Sequence, residues 1–149
     1  GMKLRWGKYV SAQVFKVPDA TNENDRSTVL LVGYGKYQLL LTGDLSSKGE
    51  KILVDKYPQL LKVTVLKAGH HGSDYATAWN WLSQVKPRIA VVSSGTGNRY
   101  GHPGKKALNR LHSLGTDIYR TDRQGTIRVR IYPGRILVIP DKVAQDEAS

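Results

Sequence analysis

The chain has 149 residues, of which 40% are hydrophobic and 23% are charged, proportions that are ordinary for a soluble, single-domain globular protein. No apolar run approaches the roughly 18 residues that a membrane-spanning helix needs, so no membrane segment is predicted in this sequence. The absence of cysteine excludes disulfides and thiolate metal ligands, so any metal would need ligands from His, Asp, Glu or backbone oxygen.

Positive charge is the most unusual property of the composition. The formal net charge is +11. Between residues 86 and 135 there are eleven Lys and Arg residues but only two acidic residues, Asp117 and Asp122. Such an excess favours attraction to a polyanion, most plausibly the phosphate backbone of a nucleic acid. The alternative is that the charge serves only solubility.

The amino-terminal part of the sequence alternates apolar runs with turn residues. We predict a strand over 8–17, a hairpin of strands 28–33 and 37–42 around Gly35, and a helix over 46–57 that Pro58 ends. Ser47 and Glu50 have the spacing of a capping box for that helix.

Strands and helices then alternate. We predict strands over 63–67, 89–93 and 117–119, separated by helices over 76–85 and from Pro103 to Gly115. Ser73 or Asp74 is the predicted cap of the first of these helices. A final hairpin of 125–132 and 135–139 turns at Pro133–Gly134, and its alternating residues predict one solvated face.

Polar loops follow three of the predicted strands. Right-handed crossovers between parallel strands place such loops at one edge of the sheet, where open α/β sheets bind ligands. One Asp and three of the four histidines of the chain lie in these loops, namely Asp44, His70, His71 and His102. The sequence therefore predicts an α/β fold with one functional edge.

Asp44 follows the buried strand 37–42, where a carboxylate can bind a divalent cation. A turn or helix-cap role is the alternative. Adjacent His70 and His71 lie between glycines, a pattern that packing does not explain. Neighbouring side chains diverge, so only one is expected to ligate a given metal, and we favour His71, with His70 in a supporting or substrate-contacting role.

His102 precedes the predicted helix that begins near Pro103, a position that suits phosphate. Together with His70 and His102, Ser73, Arg99 and Tyr100 are the candidate substrate contacts. An exposed turn is the alternative for His102. Ser73 lacks the surroundings of a nucleophile.

These blocks together resemble the metallo-β-lactamase superfamily, and within it the carboxyl-terminal domain of the ComEC family of DNA-uptake competence proteins. The similarity covers residues 22 to 130 and rests on Asn24–Ser27, Thr42–Asp44, Gly69–Ser73, Asn98–Pro103 and Tyr119–Asp122. It implies the carboxyl-terminal half of an αββα fold, with a mixed sheet flanked by helices.

The resemblance also implies chemistry. Asp44 would be a carboxylate that bridges two metals, His71 or else His70 a ligand, and His102 a residue at the substrate side. The implied cofactor is zinc or manganese, and the implied reaction is metal-assisted hydrolysis of DNA phosphodiesters. The implied parent is a bacterial cell-membrane protein with this domain as a soluble, extramembrane part.

One departure from the family pattern changes the expectation. The superfamily's His-x-His-x-Asp-His motif is absent, since the first histidine here is His70. We therefore expect this chain alone to be inactive or to bind metal weakly. Its expected partners are the amino-terminal half of the domain or a second copy, which would cover an apolar sheet face. Gly1 resembles a tag remnant, and residues 141–149 are predicted to fray.

Two other functions stay open from the sequence. The chain could be a non-catalytic, basic nucleic-acid-binding module whose histidines are ordinary loop residues. It could also belong to another phosphoester hydrolase of the same superfamily.

Overall fold

Seven strands form one mixed sheet in which spatial order follows chain order. The computed structural model describes residues 2–6, 8–57 and 62–143. The first four strands pair antiparallel and the fourth to seventh pair parallel. The strands are β1 Lys3–Trp6, β2 Val10–Phe15, β3 Val29–Tyr34, β4 Tyr37–Leu41, β5 Val65–Lys67, β6 Ile89–Val92 and β7 Asp117–Arg120.

Helices connect the parallel strands. They are α1 Ser47–Lys56, α2 Trp79–Val85 and α3 Lys105–Ser113. All three helices lie on the same face of the sheet, since α1 contacts α2, α2 contacts α3, and residues of all three belong to one core cluster. The predicted α/β class, a mixed sheet flanked by helices, is thus confirmed. No helix among the described residues is long and apolar enough to cross a membrane.

The main core lies between the sheet and these helices. Leu31, Leu40 and Leu66 are aligned across three neighbouring strands and point to the helical face. They pack with Trp81 of α2 and Leu111 of α3, both almost fully buried. The helical periodicity predicted for α2 is confirmed, since Trp81, Leu82 and Val85 form its buried side.

The opposite sheet face is apolar but less buried. By strand register, Val14, Leu30 and Leu41 share this face, as do Val32 and Leu39. Leu41 is 39% exposed. An apolar face of this kind is the surface that we expect a partner or a second copy to cover, and sedimentation of the purified chain tests for self-association.

A separate hairpin follows the sheet. A short helix α4, Thr121–Gln124, leads into β8 Ile127–Tyr132 and β9 Arg135–Pro140, which pair only with each other. Arg128 and Arg130 lie on its exposed side, as predicted. Asp141 accepts a hydrogen bond from the Thr126 N–H and pairs with Arg128 at 2.8 Å. The rest of the predicted frayed tail, 144–149, lies outside the described residues, as do Gly1 and Pro58.

Three local predictions were wrong. The hydroxyl of Ser46, rather than Ser47, caps α1 by accepting the Lys48 and Gly49 N–H groups. Glu50 turns inward instead of closing a capping box. Neither Ser73 nor Asp74 caps α2, whose N-cap is Ala78.

Helix α3 begins later than predicted and β1 was not predicted at all. The N-cap of α3 is Gly104 and its first residue is Lys105, so Pro103 precedes the helix instead of opening it. In strand β1, Leu4 lies between Lys3 and Arg5. This pattern is too short and too charged to predict a strand by itself. Its pairing with β2 stabilises it.

Candidate functional site

The loops that follow β4, β5 and β6 meet at the carboxyl edge of the parallel strands. The Nε2 atom of His71 lies 3.4 Å from the Oδ1 atom of Asp44. The ring of His70 is centred 6.4 Å from that of His71 and 5.5 Å from that of His102. The structure thus brings Asp44 and the three loop histidines into one cluster, although their strands are far apart in sequence.

The orientation of His71 follows from its other ring nitrogen. Nδ1 lies 2.7 Å from the carbonyl oxygen of Ser93, which can only accept, so Nδ1–H is the donor. Nε2 then faces the Asp44 carboxylate. A bare nitrogen and a carboxylate oxygen at this separation repel each other unless a proton or a cation lies between them. A cation between these two atoms would relieve that repulsion.

The backbone of this loop is left-handed at three consecutive residues. The φ values are 45° at His70, 55° at His71 and 77° at Gly72. Left-handed backbone is costly for residues other than glycine and persists only where surrounding contacts enforce it. Here the His70 N–H donates to the Gly43 carbonyl, and the Gly104 N–H donates to the Gly72 carbonyl. The loop is thus tied to both neighbouring loops.

Asp44 is held in place by its own backbone and by a lysine. Its N–H donates to the Ser27 hydroxyl at 3.0 Å. Lys67 donates from Nζ to the Gly43 carbonyl at 2.8 Å, and Nζ lies 4.0 Å from the Asp44 carboxylate. Burial lowers the pKa of Lys67 below its ordinary value, and the charge of Asp44 opposes that effect.

His102 lies in a loop that Asn98 stabilises. The Asn98 side chain accepts the N–H groups of Tyr100 and His102 and donates to the His102 carbonyl. Desolvation and then the neighbouring His70 and His71 hold the pKa of His102 below its ordinary value. The imidazole is therefore neutral at pH 7, because its ordinary pKa already lies below that pH.

A buried clamp fixes the segment that follows the two histidines. The carboxyl group of Glu50, which is fully buried, accepts the N–H groups of Thr77 at 2.6 Å and Ala78 at 2.9 Å through its two oxygens. Arg110 of α3 donates to the carbonyls of Asp74, Ala76 and Thr77. Helices α1 and α3 thus hold the loop from two sides.

Gly72 has no room for a side chain. A Cβ atom there would lie 2.7 Å from Val92 Cγ1 and 2.8 Å from Pro103 Cβ, and the residue has positive φ. We expect Gly72→Ala to destabilise the chain by roughly 2–4 kcal/mol, because left-handed strain and overpacking add. Chemical denaturation measures this effect. Gly134→Ala is the matched control, because Gly134 has a φ of 81° but open space around it. Its loss of unfolding free energy should reflect the left-handed backbone strain without overpacking.

The remaining predicted residues are placed as follows. Ser73 is 3% exposed and its hydroxyl accepts the Tyr75 N–H, so it stabilises the turn from within. Tyr100 is exposed, with the Arg99 guanidinium 4.8 Å from the centre of its ring. Their roles toward a substrate stay predictions.

Sequence reasoning did not single out Lys67, and it named Asn24 only within the block Asn24–Ser27, with no contact to the histidines. Asn24 Nδ2 lies 3.5 Å from His70 Nδ1. The position of Lys67 could have predicted its role at the site. A lysine at the end of a buried strand, directly before a polar loop, needs a partner at the sheet edge. No such signal marks Asn24, because its contact spans 46 positions.

The donor atoms fit a divalent cation only in part. Two ligands of one tetrahedral ion lie about 3.3 Å apart, given ligand bonds of about 2.0–2.1 Å. The 3.4 Å between Asp44 and His71 matches this spacing. Within the described residues, however, no group of three or more His, Cys, Asp or Glu side chains is arranged to hold an ion. The described residues therefore bring two candidate ligands together and do not form a complete site.

Comparison with known proteins identifies the relatives of the chain. It is 39% identical to ComE operon protein 3 of Bacillus subtilis over 121 residues, and these residues make up 81% of this chain. It is 41% identical over 115 residues to competence protein ComA of Neisseria gonorrhoeae, and 39% identical over 114 residues to recombination protein 2 of Haemophilus influenzae.

These matches cover 77% and 76% of the chain for the second and third relatives. The match spans only 15% of the length of the Bacillus subtilis protein, 17% of the Neisseria gonorrhoeae protein and 14% of the Haemophilus influenzae protein. No protein-family model matches the chain. The extent and level of identity place this chain, as a segment, in the ComEC-type family of competence proteins.

Proposed function

We propose that this chain is part of a metal-dependent phosphodiesterase domain, of the metallo-β-lactamase type, that acts on nucleic acid during DNA uptake. The observation that carries the proposal is the Asp44–His71 pair, in which a carboxylate oxygen and an oriented imidazole nitrogen face each other at 3.4 Å. The parent protein would lie in the bacterial cell membrane, with this segment outside the bilayer.

Two further properties support this proposal. The net charge of +11 suits a polyanionic substrate. The site lies where α/β sheets bind ligands, at the carboxyl ends of β4, β5 and β6. Neither property alone distinguishes a nuclease from a protein that only binds nucleic acid.

In this proposal, each residue has a defined task. Asp44 and His71 would hold a zinc or manganese ion together with ligands from outside the described residues. A bound cation of this kind supplies Lewis acidity and an activated water. The Ser93 carbonyl keeps His71 oriented. His102, neutral at pH 7, and Arg99 would face the substrate phosphate, the first as a hydrogen-bonding group and the second as a cation.

The test compares this chain with a longer protein that contains it and also carries the missing His-x-His-x-Asp-His motif. We expect phosphodiesterase activity on DNA from the longer protein in the presence of Zn²⁺ or Mn²⁺, and its loss on chelation. The 149-residue chain should show none. Activity that survives exhaustive chelation, or a longer protein that is inactive with each metal, contradicts the proposal.

A non-catalytic DNA-binding module is the second candidate, and the incomplete ligand set favours it. In that case binding would depend on salt but not on chelator or on His71→Ala. DNA affinity is measured for the longer protein and for its His71→Ala variant, each with and without chelator. These four measurements separate the two functions.

A further inference from the structure

A cavity of about 310 Å³ lies on the helical face of the sheet, where strands β1 to β4 extend beyond the end of α1. The ring of Tyr57, directly after α1, packs on Phe15 of β2 with the ring centres 4.9 Å apart. Gln13 lies two positions before Phe15 on the same face of β2 and lines the cavity. Gln38 lines it from the amino end of β4, whereas Asp44 follows the carboxyl end of that strand. The cavity is therefore separate from the candidate functional site.

Two cations of the edge strand β1 line this cavity. Lys3 lies opposite Gln13 of β2 and Arg5 lies opposite Ser11, and all four residues belong to the cavity wall. Lys3 and Arg5 are two positions apart on one strand, so their Cα atoms are about 6.5 Å apart and their charges repel each other. Neither side chain forms an ion pair or a hydrogen bond with another residue that the structure describes. An anion bound between the two cations would remove this repulsion.

Neutral hydrogen-bonding groups complete the cavity. Gln13 and Gln38 each carry a side-chain amide with two N–H donors, and neither amide has a hydrogen-bond partner among the described residues. Gly33 lies between Ser11 and Gln38 in the strand register. A Cβ atom at Gly33 would lie 2.7 Å from the Ser11 hydroxyl oxygen, so glycine keeps the cavity floor open. Cationic and amide donors around one depression are the groups that bind an oxyanion.

We propose that this cavity binds a phosphate group of a DNA backbone, as a second contact away from the candidate functional site. The inference rests on the proposed function for the identity of the polymer, but it requires neither metal nor hydrolysis. Lys3 and Arg5 supply the charge, and the amides of Gln13 and Gln38 donate to the phosphate oxygens. A volume of about 310 Å³ also leaves room for the adjoining sugar. Phosphate contacts position a nucleic acid without reading its sequence, so we expect binding that does not depend on sequence.

The test measures binding of the metal-free, 149-residue chain to a fluorescent DNA duplex over a series of salt concentrations. We expect Lys3→Gln combined with Arg5→Gln to weaken binding and to reduce the slope of log affinity against log salt by about 1, the value for one lost phosphate contact. The control combines Lys86→Gln with Arg88→Gln, which removes the same charge from exposed positions outside the cavity. Its slope should not change. Equal losses in the two double variants, or failure of the chain to bind DNA, overturn the proposal.

Two substitutions that leave the net charge unchanged locate the contact. Gln13→Ala removes an amide donor and should weaken binding by about 10-fold, as expected for loss of a hydrogen bond to a charged group. Gly33→Leu should weaken binding by filling the cavity floor. Gln84→Ala, at an exposed position of α2, is the control and should bind as the wild type does. Thermal melting checks that each variant folds, and unchanged DNA affinity in a folded Gln13→Ala or Gly33→Leu protein refutes the assignment.

Competition experiments separate DNA from other sources of phosphate. Inorganic phosphate that displaces the duplex as effectively as unlabelled DNA does, or vesicles of anionic phospholipid that bind the chain more tightly than DNA does, would overturn the assignment to a DNA backbone. The design also separates this inference from the proposed function, because binding is measured without metal. Cavity-dependent binding together with an inactive longer protein would refute the nuclease and support the cavity. An active longer protein together with DNA binding that none of the cavity variants weakens would refute the cavity alone.

Discussion

Asp44→Asn is expected to lower kcat for phosphodiester hydrolysis by at least about 100-fold in the longer protein that carries the complete domain. The substitution keeps the shape of the side chain but removes its charge. The amide would place a neutral group 3.4 Å from His71 Nε2, where the proposed function requires a carboxylate to hold a cation. Steady-state kinetics and metal content measured on the same sample test this result.

The matched control for Asp44→Asn is Asp55→Asn. Asp55 pairs with Lys51 at 2.7 Å on the exposed side of α1, and surface pairs of this kind contribute little to stability. This variant should leave kcat and metal content unchanged. An Asp44→Asn protein with full activity and a full metal complement would show that Asp44 is a turn residue, which was the alternative interpretation of the sequence.

Glu50→Ala is expected to lower the free energy of unfolding by roughly 2–5 kcal/mol. The side chain is fully buried, and its removal leaves the N–H groups of Thr77 and Ala78 without an acceptor. Denaturant unfolding of the 149-residue chain measures the loss. Asp55→Asn, on the same helix, again serves as the control and should change stability by less than about 0.5 kcal/mol.

The same residue should make stability depend on pH. Desolvation raises the pKa of Glu50 to about 8, although the bonds from Ala78 and Thr77 oppose the shift. Between about pH 4.5 and pH 8 the folded state keeps a proton that the unfolded state has lost. The contribution of Glu50 to the free energy of unfolding therefore falls as pH rises through this window, and it changes no further above pH 8.

Glu50→Gln isolates that contribution because glutamine does not titrate. Its unfolding free energy should fall less steeply with pH than that of the wild type, with a difference of at most about 1.4 kcal/mol per pH unit. Glutamine has one acceptor oxygen instead of two, so the variant should also be less stable at pH 5. If the unfolding free energies of the two proteins depended on pH in the same way, the Glu50 carboxyl would not be protonated in the folded state.

Local chemistry was sufficient to predict the strands from β2 to β9, the helices α1, α2 and α3, and the edge at which the loops meet. Strand β4 ends at Leu41, shortly before Gly43, which has positive φ, and the final hairpin turns at Gly134, which also has positive φ. The rule that parallel strands are joined by right-handed crossovers then places Asp44 near His71 without any knowledge of contacts. These features depend on the pattern of apolar residues and on glycine, which the sequence displays directly.

Tertiary structure alone decided which atoms face each other. Nothing local indicates that Glu50 bonds to Thr77 and Ala78, 27 and 28 positions away, instead of capping its own helix. The orientation of His71 depends on the Ser93 carbonyl, 22 positions away. The partner of a side chain depends on the free energy of burial and hydrogen bonding in the assembled fold. A short stretch of sequence does not determine that free energy.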